Sequence, residues 1–339
     1  FAQPETGEVI LVEDASPDNS LEVCRQLEDR YETVRLLRHP GGANQGAAAS
    51  RNLGIRAARY ELIAFLDADD YYVPGRFSTA MQVLAEQPDA EGVYEAVGTV
   101  HETLEMEQWW RENREDQSLT TISAKLPPDQ LLRGITCQRK GHIHTNGITV
   151  RKTLFQKTGL FDVELRMCQD SAMWLKMAAV GRLYPGRLDQ AVAIRRVHGE
   201  NRIYRYQDMH LDYQRQQKQL LVEWGAKKGL EPRKMKCLVR SLIAYRFFDF
   251  EKGSIRSFRQ AGAALKFLAS VGWRYPIALR TVMFWFYLCN VMQIWRLADP
   301  FARACGLVKY EKLAPSTSPP AKEMPAQSRE TSRRRGDAA

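Results

Sequence analysis

The chain lacks the cysteine spacing of a zinc or redox motif, since none of its six cysteines forms a C-x-x-C pair. Unpaired cysteines indicate a reduced, cytosolic compartment. The chain also lacks a recognisable RNA- or DNA-binding motif, although its formal net charge is +9. Basic residues concentrate in residues 195–309, which favours an anionic lipid surface or a pyrophosphate over nucleic acid as the partner.

Three glycine-dependent ligand motifs are absent as well. Residues 41–46 have the outer spacing of a phosphate loop, but Ala47 and Ala48 stand where Lys and Ser or Thr are required. No G-x-G-x-x-G run exists there, which argues against a dinucleotide enzyme even though Asp67 lies near the position of a ribose-binding acid. A loop starting at Asp67 has no glycine at its sixth position, so an EF-hand is excluded.

The chain does have an unusual concentration of carboxylates after an apolar segment. Residues 62–66 predict a buried strand, and Asp67, Asp69 and Asp70 follow it directly. Carboxylates this close repel one another unless a positive charge lies among them. Mn²⁺ or Mg²⁺, shared with substrate phosphates, fits such oxygen ligands, and a solvated acidic turn is the alternative.

Alternating apolar and helical patterns predict an α/β fold with a mostly parallel, Rossmann-like sheet and helices on both faces. A helix is expected after Asn19, with Glu22 as its capping-box partner. Ligands of such sheets bind beyond the carboxyl ends of the strands. Two groups of acids lie at such ends: Glu13 and Asp14 after the first strand, and the acidic run that begins at Asp67. The expected strands cover residues 9–12, 34–37, 62–66, 148–150 and 191–194, and a second helix covers residues 47–58.

Taken together, these segments resemble the family 2 glycosyltransferases, which have the GT-A fold. The resemblance covers about residues 1–205. It opens on the strand that ends in Glu13 and Asp14, and it implies that about 25 to 35 residues, a strand and a helix, precede Phe1. The matching segments are residues 9–20, 44–46, 50–55, 65–70, 159–162, 169–175 and 195–201.

The resemblance assigns the donor side of a nucleotide-sugar site. It implies that Glu13 and Asp14 belong to this binding site, that Asp14 hydrogen-bonds the uracil of a UDP-sugar, and that Arg51 is a donor-site residue. Asp67 and Asp69 correspond to the D-x-D pair, with Asp67 toward ribose and metal and Asp69 directly on the metal.

The resemblance also assigns a catalytic base and a basic group. Asp170 corresponds to the base; the family usually has Glu-Asp there, whereas this chain has Gln169 before the retained aspartate. Arg195, Arg196 and His198, after the last strand, are candidates to reach the metal or the diphosphate.

Domain boundaries are expected near residues 205 and 310. Residues 1–205 form the GT-A domain, residues 206–310 a helical and membrane-associated region, and residues 311–339 a disordered tail. Within the helical region, residues 277–295 are almost entirely apolar and flanked by arginines and tryptophans. Docking on the core or on a membrane interface is favoured there over a membrane span.

The function expected from the resemblance is inverting transfer of a sugar from a nucleotide-diphosphate donor, with UDP as the expected nucleotide, to an acceptor hydroxyl. The setting would be envelope polysaccharide or lipid-linked glycan synthesis, in the cytoplasm or peripherally at the inner face of the plasma membrane. A nucleotidyltransferase of the same fold, or a non-catalytic nucleotide-sugar or membrane-binding module, is the alternative. The sequence leaves the roles of His142, His144, Trp109 and Trp110 open.

Overall fold

A computed structural model describes residues 3–108, 119–138, 140–199, 201, 210–251, 258–281, 284, 285 and 288 of the chain. Trp109, Trp110 and the tail over residues 311–339 lie outside these residues, as does most of the segment from residue 282 onward.

The first part of the chain alternates strands and helices as predicted. The two strands β1 and β2 pair in parallel, from Val9 opposite Val34 to Glu13 opposite Arg38. β-branched residues in β1 suit a pleated strand. The elements are β1 (Val9–Glu13), α1 (Ser20–Arg30), β2 (Val34–Arg38), α2 (Gly46–Ala57) and β3 (Leu62–Ala64).

The remaining strands form two four-stranded sheets, ordered β3-β8-β5-β9 and β4-β10-β6-β7. The α/β class is confirmed, but the pairing among the described strands is mixed rather than mostly parallel. Strand β8 lies antiparallel between β3 and β5. The strands are β4 (Tyr71–Tyr72), β5 (Gly92–Tyr94), β6 (Val97–His101), β7 (Leu119–Thr120), β8 (Ile148–Arg151), β9 (Leu183–Pro185) and β10 (Ala193–Val197).

Helices flank these sheets and continue into the second half. They are α3 (Ser78–Glu86), α4 (Pro128–Cys137), α5 (Leu154–Thr158), α6 (Gln169–Val180), α7 (His210–Lys228), α8 (Pro232–Glu251) and α9 (Phe258–Arg274). The two long helices α7 and α8 pack against each other, and α8 also packs against α4.

One hydrophobic core joins the sheet region to the C-terminal helices. It contains Trp174 of α6, which is 1% exposed, together with Leu221 of α7 and Leu268 of α9. Phe161 lies edge-on to Trp174 with ring centroids 5.7 Å apart. Burial of one such large side chain contributes roughly 1.5–3 kcal/mol, so this core ties the helical region to the sheet. Because this core contains residues from both sides of residue 205, it does not separate two domains there, and the domain boundary near residue 205 stays a prediction.

Two local expectations were wrong. The predicted capping box is absent: Asn19 makes no side-chain cap hydrogen bond, and the Ser20 N–H instead donates to Asp18 Oδ1 at 3.0 Å. The apolar segment predicted as a helix from residue 277 begins as a 3₁₀ turn over Pro276–Arg280 and is helical at residues 284, 285 and 288.

The beginning of that apolar segment docks on the core. Ala278 is fully buried and Phe284 is 5% exposed. In the part of the chain that the structure describes, no helix is long and apolar enough to cross a membrane.

Candidate active site

Strand β3 presents the acidic run at its carboxyl end. A turn closes there, with the Asp70 N–H donating to the Asp67 carbonyl at 3.1 Å. The side chains of Asp67 and Asp69 are 39% and 43% exposed, whereas Asp70 is more enclosed. Burial, with the negative charges of Asp69 and Asp67 adding to it, raises the pKa of Asp70 to about 6. Asp67 and Asp69 are thus the acids open to a ligand.

Helix α2 brings Arg51 to this acidic run. Its Nη2 donates to Asp67 Oδ1 at 2.6 Å, and its guanidinium lies 5.6 Å from the centre of the Phe161 ring. The other terminal nitrogen, Nη1, is buried and has no hydrogen-bond partner among the described residues. A buried guanidinium nitrogen without an acceptor is costly, so Arg51 has a donor available for an anionic ligand.

The end of strand β10 supplies partners for the two remaining acids. His198 Nε2 lies 3.1 Å from Asp69 Oδ2, and Asn201 Nδ2 donates to the same oxygen at 3.2 Å. Asn201 Oδ1 in turn accepts the His198 backbone N–H at 2.8 Å. The Arg196 backbone N–H donates to Asp70 Oδ1 at 2.8 Å. His198, a candidate to reach the metal or the diphosphate, therefore lies beside Asp69 of the acidic run.

Asp170 lies in the first turn of α6. Its Oδ1 accepts the Ser171 N–H at 2.7 Å, and Thr145 Oγ1 donates to its Oδ2 at 3.4 Å. The neighbouring Gln169 is buried, and its Oε1 has no hydrogen-bond partner in the described part of the chain. Cys168 precedes it with a positive φ of 61°, a strained backbone of the kind found at functional sites.

A short turn, Thr145–Gly147, connects the acidic run with Asp170. Asn146 Oδ1 accepts the Asp67 N–H at 3.1 Å, and Asn146 Nδ2 donates to Asp70 Oδ2 at 2.6 Å. Its neighbour Thr145 reaches Asp170. The acids after β3 and the acid on α6 therefore belong to one site.

His144 begins this turn and is neutral. Its Nδ1 accepts the Asn146 N–H at 3.2 Å, which leaves the proton on Nε2. Burial first, and then the positive charge of Arg195, lowers the pKa of His144 to about 4 although Asp67 and Asp170 oppose the shift. His144 and Arg195 are therefore part of the electrostatic environment of the site.

Asp14 lies at the amino end of α2, the helix that carries Arg51. Its two carboxylate oxygens accept the N–H groups of Gln45 and Gly46 at 2.7 and 2.8 Å. Ala15 follows it with a positive φ of 56°. Asp14 therefore fixes this helix end, and each of its oxygens retains a free lone pair.

Glu13 faces inward rather than toward a ligand. Its carboxylate is 1% exposed, accepts the Ser16 N–H at 2.6 Å and pairs with Arg38 at 2.8 Å. The Ser16 N–H and then the Arg38 guanidinium hold its pKa below the usual range despite burial. In this structure Glu13 shapes the loop after β1.

Sequence reasoning missed three polar residues of the site, Thr145, Asn146 and Asn201. The only signal was a position next to an apolar strand: Thr145 and Asn146 come shortly before one, and Asp67 comes directly after another. In the described ranges, no group of three or more His, Cys, Asp or Glu side chains is arranged to hold a metal ion by itself.

Comparison with known proteins identifies the domain. Residues 2–155 match the family model described as glycosyl transferase family 2. The match covers less than half of the 339 residues, and it identifies a family 2 glycosyltransferase domain within residues 2–155. Among curated relatives, the uncharacterized glycosyltransferase YibD of Escherichia coli is 28% identical over 210 residues, which are 61% of this chain and 58% of YibD. The chain thus spans less than two thirds of that relative.

A second relative and a solved structure also match the chain. The succinoglycan biosynthesis protein ExoU of Rhizobium meliloti is 40% identical over 76 residues, 22% of each protein. The crystal structure of S. aureus TarS 1-349 in complex with UDP-GlcNAc superposes with a TM-score of 0.55 at 15% identity, over 89% of this chain and 84% of that TarS chain. That likeness shows that the chain has the GT-A fold.

Proposed function

We propose that this glycosyltransferase moves a sugar, with inversion, from a UDP-sugar to an acceptor hydroxyl. The observation that carries the proposal is the pair of adjacent residues Thr145 and Asn146. One contacts Asp170 and the other holds the backbone of Asp67, so a candidate base and a donor-site acid are fixed relative to each other.

The donor diphosphate has a receptor in Arg51. Its Nη2 is engaged by Asp67 while its buried Nη1 lacks a partner among the described residues. A guanidinium bound on one side and free on the other suits a phosphate oxygen next to an aspartate-lined site. Asp14 is proposed to contact the uracil through its remaining lone pairs, and the UDP-GlcNAc bound by TarS supports a UDP-linked donor.

The donor set fits a divalent cation that is shared with the substrate. Asp67 and Asp69 offer hard carboxylate oxygens, and His198 adjoins Asp69, but no all-protein cage exists in the described residues. Mg²⁺ and Mn²⁺ sites of this kind take one or two carboxylates and complete their coordination with phosphate oxygens and water. When bound, such a cation supplies neutralisation of the charge that develops on the leaving diphosphate.

Asp170 is proposed to act on the acceptor. Its Oδ2 accepts the acceptor proton as the hydroxyl oxygen bonds to the anomeric carbon, and the carbon–oxygen bond to the diphosphate breaks with its electron pair on the leaving nucleotide. The two contacts with Ser171 and Thr145 orient the carboxylate but leave lone pairs for this proton. The side-chain carbonyl of Gln169 beside it is buried and has no partner among the described residues, so it can receive a hydrogen bond from the acceptor side.

The C-terminal region is proposed to dock on an anionic membrane surface. Residues 258–288 contain four basic and no acidic residues. Trp273 is 90% and Trp285 52% exposed beside the exposed Leu279. Exposed tryptophans with basic neighbours suit the interface of an anionic bilayer. We therefore propose peripheral attachment at the inner face of the plasma membrane.

Such attachment suits a glycosyltransferase that acts in envelope polysaccharide or lipid-linked glycan synthesis. The relative ExoU is named for succinoglycan biosynthesis, which supports this setting. No nucleic-acid partner is proposed.

The test is a panel of nucleotide sugars incubated with the protein and Mn²⁺, with released nucleotide as the readout. We expect one UDP-sugar to give UDP, and Asp170→Asn to reduce the rate while Asp212→Asn, at a side chain that is 74% exposed, does not. Pyrophosphate released from a nucleoside triphosphate and a sugar phosphate would instead show a nucleotidyltransferase. Binding without any product would show a non-catalytic module.

A further inference from the structure

Asn146 is a fully buried, uncharged residue next to the acidic run. Its amide bridges two members of that run, since the oxygen accepts from the Asp67 backbone and the nitrogen donates to the Asp70 carboxylate. The amide offers an acceptor and a donor on two atoms that are bonded to the same carbon, and it does so without a charge. A buried leucine of similar volume would leave the Asp67 N–H and the Asp70 oxygen unsatisfied.

The turn that carries Asn146 is anchored from below by a buried ion pair. Arg76 and Glu95 both have side chains with 0% exposure, and they are joined at 2.7 Å. Arg76 Nε donates to the Asn146 carbonyl at 3.1 Å. On the other side, a Cβ added at Gly147 would lie 2.4 Å from the Glu95 carbonyl oxygen, so the turn presses against the sheet. Asn146 is consequently held in one position.

The contacts of Asp70 show how the fixed side chain of Asn146 affects the acidic run. One of its oxygens accepts from Asn146 and the other from the Arg196 backbone, so both face protein donors. Asp67 and Asp69 keep their carboxylates on the exposed side, 39% and 43% accessible. Three neighbouring carboxylates are thereby divided into one that is held inward and two that face the ligand.

We infer that Asn146 is a positioning residue that selects which carboxylates of the acidic run bind the metal and the diphosphate. It retains Asp70 and orients the Asp67 backbone, while Thr145 next to it keeps Asp170 at a fixed place. This inference rests on the proposed function of the site.

The first test is UDP binding by calorimetry at a series of Mn²⁺ concentrations, for the parent and for Asn146→Ala. We expect the Mn²⁺ concentration that half-saturates UDP binding to rise about tenfold to a hundredfold. The reason is that the variant loses the hydrogen bond to the charged Asp70 carboxylate and the one from the Asp67 N–H. Asn52→Ala is the matched control. Asn52 is 4% exposed and makes two hydrogen bonds of 2.8 Å, both to the Phe161 backbone. We expect it to lower the midpoint of thermal unfolding comparably but to leave the Mn²⁺ requirement unchanged.

A second test exchanges the hydrogen-bonding groups and keeps the shapes of the side chains, and its double variant also keeps the total charge. In Asn146→Asp, a carboxylate replaces the amide nitrogen that lies 2.6 Å from Asp70, and we expect weaker Mn²⁺-dependent UDP binding. In the double variant Asn146→Asp, Asp70→Asn, the donor and acceptor exchange sides, so the bridge can re-form. We expect the double variant to recover binding to within a few-fold of the parent.

The outcomes separate the two claims. If the parent does not bind UDP in a Mn²⁺-dependent way, the proposed function fails and this inference with it. If the parent does so but Asn146→Ala keeps the parental Mn²⁺ requirement, or the double variant binds no better than Asn146→Asp, the positioning role alone is overturned.

Discussion

The buried pair of Arg76 and Glu95 gives the most quantitative prediction about stability. Both side chains are fully enclosed. Arg76 also donates to the Asn146 and Ile148 carbonyls, and its guanidinium lies 4.9 Å from the centre of the Phe77 ring. Removing one partner of such a pair leaves the other charge uncompensated, which costs about 3–5 kcal/mol.

Glu95→Gln keeps the shape of the side chain and removes only its charge. We therefore expect it to lower the free energy of unfolding by about 3–5 kcal/mol. Because one kcal/mol shifts the melting temperature of a domain of this size by about 2–4 °C, the midpoint should fall by roughly 6–20 °C. Urea and thermal unfolding of the purified protein measure both quantities.

Glu91→Gln is the matched control, on a neighbouring part of the same sheet. Glu91 pairs with Lys157 at 2.6 Å, but the lysine side chain is 50% exposed. An ion pair of this kind contributes at most about 1 kcal/mol. Equal destabilisation by the two substitutions would refute the reasoning, since the buried charge of Arg76 would then be neutralised by something other than Glu95.

Three further predictions concern the base, the loop after β1 and the exposed tryptophans. Asp170→Asn should lower kcat about 10²- to 10⁴-fold in the nucleotide-release assay while calorimetry finds UDP affinity unchanged; an unchanged kcat would remove Asp170 as the base. The lowered pKa of Glu13 means that its carboxylate stabilises the fold above the ordinary glutamate pKa and loses this effect as the pH falls through the lowered value. Glu13→Gln should therefore flatten the decline of the unfolding midpoint at acid pH, and parallel curves would contradict this. Trp273→Ala should weaken co-sedimentation with anionic vesicles on the order of tenfold. Tyr60→Ala, at a residue that is 53% exposed and far from Trp273 in the sequence, should leave co-sedimentation unchanged. Equal losses would place the contact elsewhere.

The regular elements near the start were predictable because their signals are local. The apolar run ending in Glu13 and the glycine-preceded helix α2 show their periodicity within a few residues. The mixed pairing was not predictable in this way. Strand β8 pairs with β3 over a separation of more than 80 residues, and alternation along the chain does not determine its direction.

The residues of the candidate site likewise differ in whether a local sequence signal reveals them. Asp67 is conspicuous because several carboxylates directly after a buried strand need a positive partner, whereas Asp170 was assigned through the resemblance to the family. The amides of Asn146 and Asn201 gain their meaning only from groups 79 and 132 residues away in sequence. The capping box failed for a local reason, since Asp18 already binds the Ser20 N–H that begins α1.

The measurement that tests the central claim most directly is calorimetric titration of UDP in the presence of Mn²⁺ and, separately, of EDTA. If Asp67 and Asp69 form the donor site, their carboxylates and the diphosphate repel one another without a cation, so UDP should bind with Mn²⁺ and only weakly with EDTA. Asp69→Asn should abolish most of the difference. Equal affinity in Mn²⁺ and EDTA for the parent protein would contradict the account.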